Sequence, residues 1–116
     1  MHVRAFKLAE QIHREISSLI QFEMRDPRIR SVTITKVKVN NDLSYAKIYF
    51  TSTEDSKIKE IGKSLNHAQG FFRTKLGSRL DLRKVPEVKF YFDDSLVVAD
   101  RLEEILKNIR GESNKR

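Results

Sequence analysis

The feature that most constrains this sequence is a change of hydrophobic period at Pro27. From Arg4 to Met24 the apolar residues Phe6, Ala9, Ile12, Ile16, Leu19 and Ile20 recur at three- and four-residue steps, the spacing of a helix that buries one side. Beyond Val32 apolar residues alternate instead, which is strand spacing. Pro27 lacks a backbone donor and disfavours helical angles at Asp26, so Asp26-Pro27-Arg28 ends the helix in a tight corner from which Arg28 and Arg30 project. A chain that switches period in this way packs helix on sheet, and 116 residues suffice for one such core.

Within Val32 to Val39 the apolar phase slips, from Val32 and Ile34 on even positions to Val37 and Val39 on odd ones, and a bulge near Thr35 and Lys36 reconciles them. Asn40-Asn41-Asp42 carries turn chemistry. Leu43 to Thr51 then alternates, with Ala46, Ile48 and Phe50 on one face and Tyr45, Lys47 and Tyr49 on the other, which predicts an antiparallel hairpin. Glu54-Asp55-Ser56 offers N-cap chemistry to a helical stripe through Ile58, Ile61, Leu65, Ala68, Phe72, Leu76 and Leu80. Gly70 interrupts that stripe, and glycine inside a helix costs about 0.8 to 1 kcal/mol relative to alanine, so a kink at Ala68-Gln69-Gly70 is expected to divide it in two. After Pro86, Val88, Phe90 and Phe92 alternate with Lys89 and Tyr91 as a third strand. Asp94 or Ser95 is expected to cap a last helix with Val98, Leu102, Ile105, Leu106 and Ile109 on its apolar side, ended by Gly111. The expectation is an α+β domain over residues 1–110, helices packed on one face of a three-stranded mixed sheet, followed by a flexible tail at 111–116.

The charge is one-signed in places. The chain carries 23 Lys and Arg against 16 Asp and Glu, net +7, and an excess of that kind points to an anionic partner such as RNA phosphate. Residues 70–92 hold 6 basic and 2 acidic residues, whereas 93–110 hold 3 and 5, so the binding surface belongs to the earlier segments. Two surfaces compete. On the helical side, Arg4, Lys7 and Arg14 lie opposite the apolar stripe, and Arg28, Arg30, Arg73, Lys75, Arg79, Arg83 and Lys84 follow the corner and the kink. The small residues at the kink and the amides of the next helix could meet a phosphate closely. On the sheet side, Lys36, Lys38, Tyr45, Lys47, Tyr49, Lys89 and Tyr91 would share the face away from the helices, where aromatics between lysines could stack unpaired bases.

Catalytic groups do not converge. His2, His13 and His67 are far apart in sequence and lack ligand spacing, Asp93-Asp94 is better explained by capping than by metal, and four glycines write neither a phosphate loop nor a dinucleotide fingerprint. No metal, cofactor or enzymatic role is expected. Without cysteine there is no disulfide or thiolate chemistry, and no run approaches about 18 apolar residues, so a cytoplasmic protein without a membrane span is expected.

Several of these segments together resemble the ribosome-binding factor A family of bacterial ribosome-maturation factors. They are Asp26-Pro27-Arg28, Asp42-Leu43-Ser44 leading into Ala46-Lys47, Ala68-Gln69-Gly70-Phe71-Phe72-Arg73, Arg83 with Val85-Pro86-Glu87, and Phe90 with Asp93 and Ser95. Lys84 and Val88-Lys89 depart from the family pattern. The resemblance implies a type II KH-like domain in which the Ala-x-Gly kink, here Ala68-Gln69-Gly70, replaces the Gly-x-x-Gly loop of other KH modules. It also implies a cytoplasmic, non-catalytic factor, monomeric when free, that binds the free 30S subunit and assists late maturation and 5′-end processing of 16S rRNA. Importance for growth in the cold and release by a ribosome-dependent GTPase are further implications. The alternative reading is a general single-stranded RNA-binding or chaperone module working through the sheet face.

Overall fold

A computed structural model describes residues 2–114, with the backbone alone for residues 111–114. The first stripe forms α1 (Val3–Phe22), which buries Leu8, Ile12, Ile16, Leu19 and Ile20. The corner after it is itself a single helical turn, α2 (Pro27–Arg30), rather than a simple bend. Proline sits where a missing N–H is harmless, and the Asp26 carboxylate accepts from the Arg28 N–H at 3.0 Å. Arg28 does not project as expected. Its guanidinium folds back on Asp26 at 3.1 Å and reaches Glu60 at 3.4 Å.

Strands β1 (Val32–Val39) and β2 (Tyr45–Ser52) form the antiparallel hairpin, and β3 (Glu87–Phe92) pairs parallel to β2, giving the order β1-β2-β3. The bulge is where the phase slip predicted it: Ile34 pairs with Phe50 and Lys36 with Tyr49, leaving Thr35 as the extra residue. Asn40 organises the hairpin loop, its side-chain oxygen accepting from the Ser44 and Tyr45 N–H groups at 2.9 Å each.

The crossover to β3 passes over one face of the sheet, through a 3-10 turn (Asp55–Lys57), α3 (Ile58–His67) and α4 (Gln69–Arg79). The expected side-chain cap from Glu54-Asp55-Ser56 is not made. The segment winds into the 3-10 turn instead, with the Lys57 N–H donating to the Glu54 carbonyl at 3.0 Å. The break itself falls at Ala68, as the interrupted stripe predicted. α4 closes through Asp81 in the left-handed region (φ 52°), and the Leu82 N–H returns to the Gly77 carbonyl at 3.1 Å. The core lies between the sheet and α1, α3 and α4, centred on Ile12, Ile16, Ile48, Phe50, Leu65 and Phe72. Apart from the single turns at α2 and Asp55–Lys57, this is the α-β-β-α-α-β order of a KH-like domain with one helix appended.

That last helix, α5 (Ser95–Asn114), departs from expectation in three ways. Its start is held by Asp93, not Asp94 or Ser95: the carboxylate accepts from the Ser95 N–H at 3.0 Å and from its hydroxyl at 2.6 Å. It continues past Gly111, where a helical glycine costs only about 1 kcal/mol and no left-handed turn forms, so residues 111–114, expected as tail, are helical, and Lys115 and Arg116 lie outside the described residues. Its apolar stripe does not pack on the sheet. Val98, Leu102, Ile105, Leu106 and Ile109 are all exposed, because α1, α3 and α4 already close the core. The extents of 66 × 39 × 18 Å reflect this projection.

Candidate nucleic-acid interface

The two surfaces proposed from sequence are both present, and their electrostatics differ. On the helical side Arg4, Lys7, Arg14, Arg30 and Arg83 are exposed and make no ion pair among the described residues, while Lys84, also exposed and without a salt bridge among them, acts electrostatically on the Asp42 carboxylate of the hairpin loop. The rest are engaged. Arg79 pairs with Glu15 at 3.4 Å and also with Glu23, which Lys75 approaches at 3.6 Å. Arg73 donates to the Val85 and Pro86 carbonyls at 3.3 Å each, tying α4 to the segment before β3. Arg28 is held by Asp26 and Glu60, and its hydrogen bonds keep the Asp26 carboxyl below the usual carboxylate range. These carboxylates occupy positions that a phosphate could take, and each exposed pair is worth only about 0 to 1 kcal/mol.

At the kink the motif residues divide their work. Ala68 is the junction, with φ −89° and ψ 12°, while Gly70 is already helical with φ below zero. A Cβ on Gly70 would meet nothing within 4 Å, so that side of α4 is open to close approach by another molecule. Gln69 turns inward and donates to Asn66 Oδ1 at 3.1 Å. Beside them an open hollow of about 430 Å³ is lined by Tyr45, Gln69, Arg73, Glu87 and Lys89, so the kink and the edge of the sheet face adjoin.

The sheet face opposite the helices carries all the residues expected on it. Register places Lys38 opposite Lys47 and Lys47 opposite Lys89, a row of lysines across three strands, with Lys36, Tyr49 and Tyr91 in the adjacent row. The Tyr49 and Tyr91 rings lie 5.8 Å apart at 33°, and the Tyr45 and Tyr91 hydroxyls are 2.9 Å apart. That hydroxyl pair and partial burial push the Tyr45 phenol up to about 12, so it stays neutral. Lysine ammoniums sit over the rings, Lys36 at 4.7 Å from the Tyr49 centroid and Lys89 at 5.6 Å from that of Tyr91. At one end Asp93 accepts from the Thr35 hydroxyl at 2.6 Å; hydrogen bonds from Ser95 and Thr35 hold its carboxyl down at about 2.

Both surfaces belong to a fold and a sequence pattern seen elsewhere. A model of the family described as ribosome-binding factor A matches residues 4–106. The chain belongs to the ribosome-binding factor A family. A family member from Chromohalobacter salexigens is 42% identical over 106 residues, spanning 89% of this chain and 81% of that one. The crystal structure of ribosome-binding factor A from Thermus thermophilus superposes with a TM-score of 0.67 at 23% identity, covering 75% of this chain and 93% of that one. Coordinates of the Thermus factor fitted into a cryo-EM map of a complex with the 30S subunit match with a TM-score of 0.62 at 23% identity, covering 74% of this chain and 91% of that one.

Among the described residues no three His, Asp or Glu side chains converge where they could hold a metal, and no helix is long and apolar enough to cross a membrane. His13 instead donates Nε2–H to the Ile34 carbonyl at 3.0 Å, a structural role beside the bulge. Sequence reading missed Asn66, which orients Gln69 at the kink, and Glu15 and Glu23, which neutralise Lys75 and Arg79 further along α4. For the last two the one signal in the sequence was a carboxylate, within or just after α1, away from the side that carries Arg4, Lys7 and Arg14.

Proposed function

We propose that this protein is a non-catalytic ribosome assembly factor that binds the free 30S subunit and assists late maturation of 16S rRNA, including processing of its 5′ end. The observation that carries this reading is family membership along nearly the whole chain. Residues 1–110 act as the RNA-binding unit, working in the cytoplasm as a monomer until they meet the subunit. Contact is made from the helical side, where Arg4, Lys7, Arg14, Arg30 and Arg83 make no ion pair among the described residues, Lys84 makes no salt bridge among them, and Gly70 leaves room for a phosphate against α4. Arg28, Arg73, Lys75 and Arg79 join by exchanging their internal partners for phosphate.

Such a factor acts by binding one rRNA conformation better than another, and a ligand shifts an equilibrium only by that difference. Tight binding to an immature conformation then requires active removal, which fits release by a ribosome-dependent GTPase. A requirement in the cold follows too, because misfolded RNA rearranges more slowly at low temperature. The test is co-sedimentation of the purified protein with separated small subunits, large subunits and intact ribosomes across a salt series. Retention on small subunits alone, falling steeply with salt, supports the reading. Equal retention on all three particles refutes it.

A further inference from the structure

We propose that the open sheet face is a second nucleic-acid surface, one that takes an unpaired RNA strand by stacking bases on Tyr49 and Tyr91 while Lys38, Lys47 and Lys89 hold its phosphates. The inference goes beyond the subunit contact assigned to the helical side and uses none of the same residues. Its first support is a cost to the fold. Like charges directly opposite one another on a sheet are destabilising, yet Lys38, Lys47 and Lys89 stand side by side across all three strands without a carboxylate ion pair among the described residues. An anion laid along that row removes the repulsion.

The second support is aromatic. All 3 tyrosines of the chain, and no tryptophan, lie on this one face, and none of the 7 phenylalanines is among its outward residues. The Tyr45–Tyr91 hydroxyl bond and the Tyr49–Tyr91 contact fix the rings as one surface rather than separate mobile side chains. In the free protein the lysines rest over the rings, an exposed cation–π contact of about 0.5 to 1 kcal/mol. Stacking a base on an aromatic is worth about 1 to 3 kcal/mol, so a base displaces the ammonium and releases it toward the phosphate. The face is uncovered, because the helices that close the core lie on the other side and the apolar stripe of α5 packs on neither. A duplex buries its base faces in its own stack and cannot use this surface in the same way.

Because every tyrosine is on this face and there is no tryptophan, intrinsic tyrosine fluorescence reports on it alone. The full chain is titrated with a short oligouridylate, a duplex RNA of equal phosphate number, and poly-glutamate, with absorbance correction. Quenching by the single strand well beyond the other two is expected. The triple variant Lys38→Gln, Lys47→Gln, Lys89→Gln should bind the oligouridylate at least tenfold more weakly. Its slope of log affinity against log salt should be shallower by about 2, since each single-strand phosphate contact contributes about 0.7. Its Tm should stay close to that of the parent, because the variant relieves repulsion while it gives up the exposed cation–π contacts, and the single Lys47→Gln variant should show part of the same loss in affinity. Equal quenching by duplex or by poly-glutamate, or unchanged affinity in a folded triple variant, would overturn the proposal. Subunit retention of the same variant is scored separately, so the two readings fail independently.

Discussion

The side-chain amide of Asn66 pairs with both backbone groups of Phe90, donating from Nδ2 to the carbonyl at 3.1 Å and accepting the N–H at Oδ1 at 2.9 Å. α3 thereby supplies to the outer edge of β3 what a neighbouring strand would, and Gln69 fixes the orientation of the amide. Asn66→Ala leaves two strand groups unpaired and is expected to destabilise the domain by about 1 to 3 kcal/mol. Asn66→Asp, which sets a carboxylate against the Phe90 carbonyl, should be at least as damaging. Urea unfolding with an unchanged m-value reads both.

Gly70 and Gly77 are expected to respond oppositely to alanine. At Gly70 a Cβ meets nothing, so Gly70→Ala should stabilise α4 by up to about 1 kcal/mol while weakening retention on small subunits. At Gly77 the new Cβ would lie 2.8 Å from Val85 Cγ2, and Gly77→Ala should cost about 1 to 3 kcal/mol. Unchanged retention in a stabilised Gly70→Ala protein would remove the kink from the binding surface.

Glu23 holds Lys75 and Arg79 in the free protein. Glu23→Gln frees Lys75 and leaves Arg79 only its contact with Glu15, so subunit affinity should rise by up to roughly fivefold, the exchange value of a surface pair worth about 0 to 1 kcal/mol. Salt dependence should steepen as well. Reversal of Arg79 is a poorer probe, because it places a third carboxylate beside Glu15 and Glu23.

Asp93 gives the domain a pH dependence of known sign. Its folded pKa is depressed to about 2, so its contribution is complete above the unfolded value of about 3.9 and disappears as pH falls through about 2. Asp93→Asn should therefore be less stable than the parent at neutral pH, with the gap narrowing between about pH 4 and pH 2. Urea midpoints of both proteins across that range provide the check.

The parts of this architecture legible in the sequence were those written locally. A phase slip at Thr35 forecast the bulge, the glycine at 70 forecast the break at Ala68, and alternation from Tyr45 to Phe50 assigned the two faces of the sheet. Pairings between distant segments were not legible. Arg79 meets carboxylates 56 and 64 residues away, and Asn66 meets a strand 24 residues on, contacts decided by how helices settle on the sheet rather than by any periodicity. The stripe of α5 was legible as helix but not as to its packing, since a period specifies an apolar side without specifying what lies against it.

α5 leaves the domain with two levels of cooperativity. The radius of gyration, 17.7 Å against roughly 13 Å for a compact chain of this length, records a helix that shares little of the core's free energy. Helices in proteins take most of their stability from packing an apolar face, which α5 leaves exposed, and the bonds to Asp93 secure only its first turn. Amide hydrogens of α5 should therefore exchange through local fraying, while those of α1 and β2 wait for global unfolding. Far-ultraviolet circular dichroism would then begin to fall before tyrosine fluorescence does, because the first counts every helical turn and the second senses only the sheet.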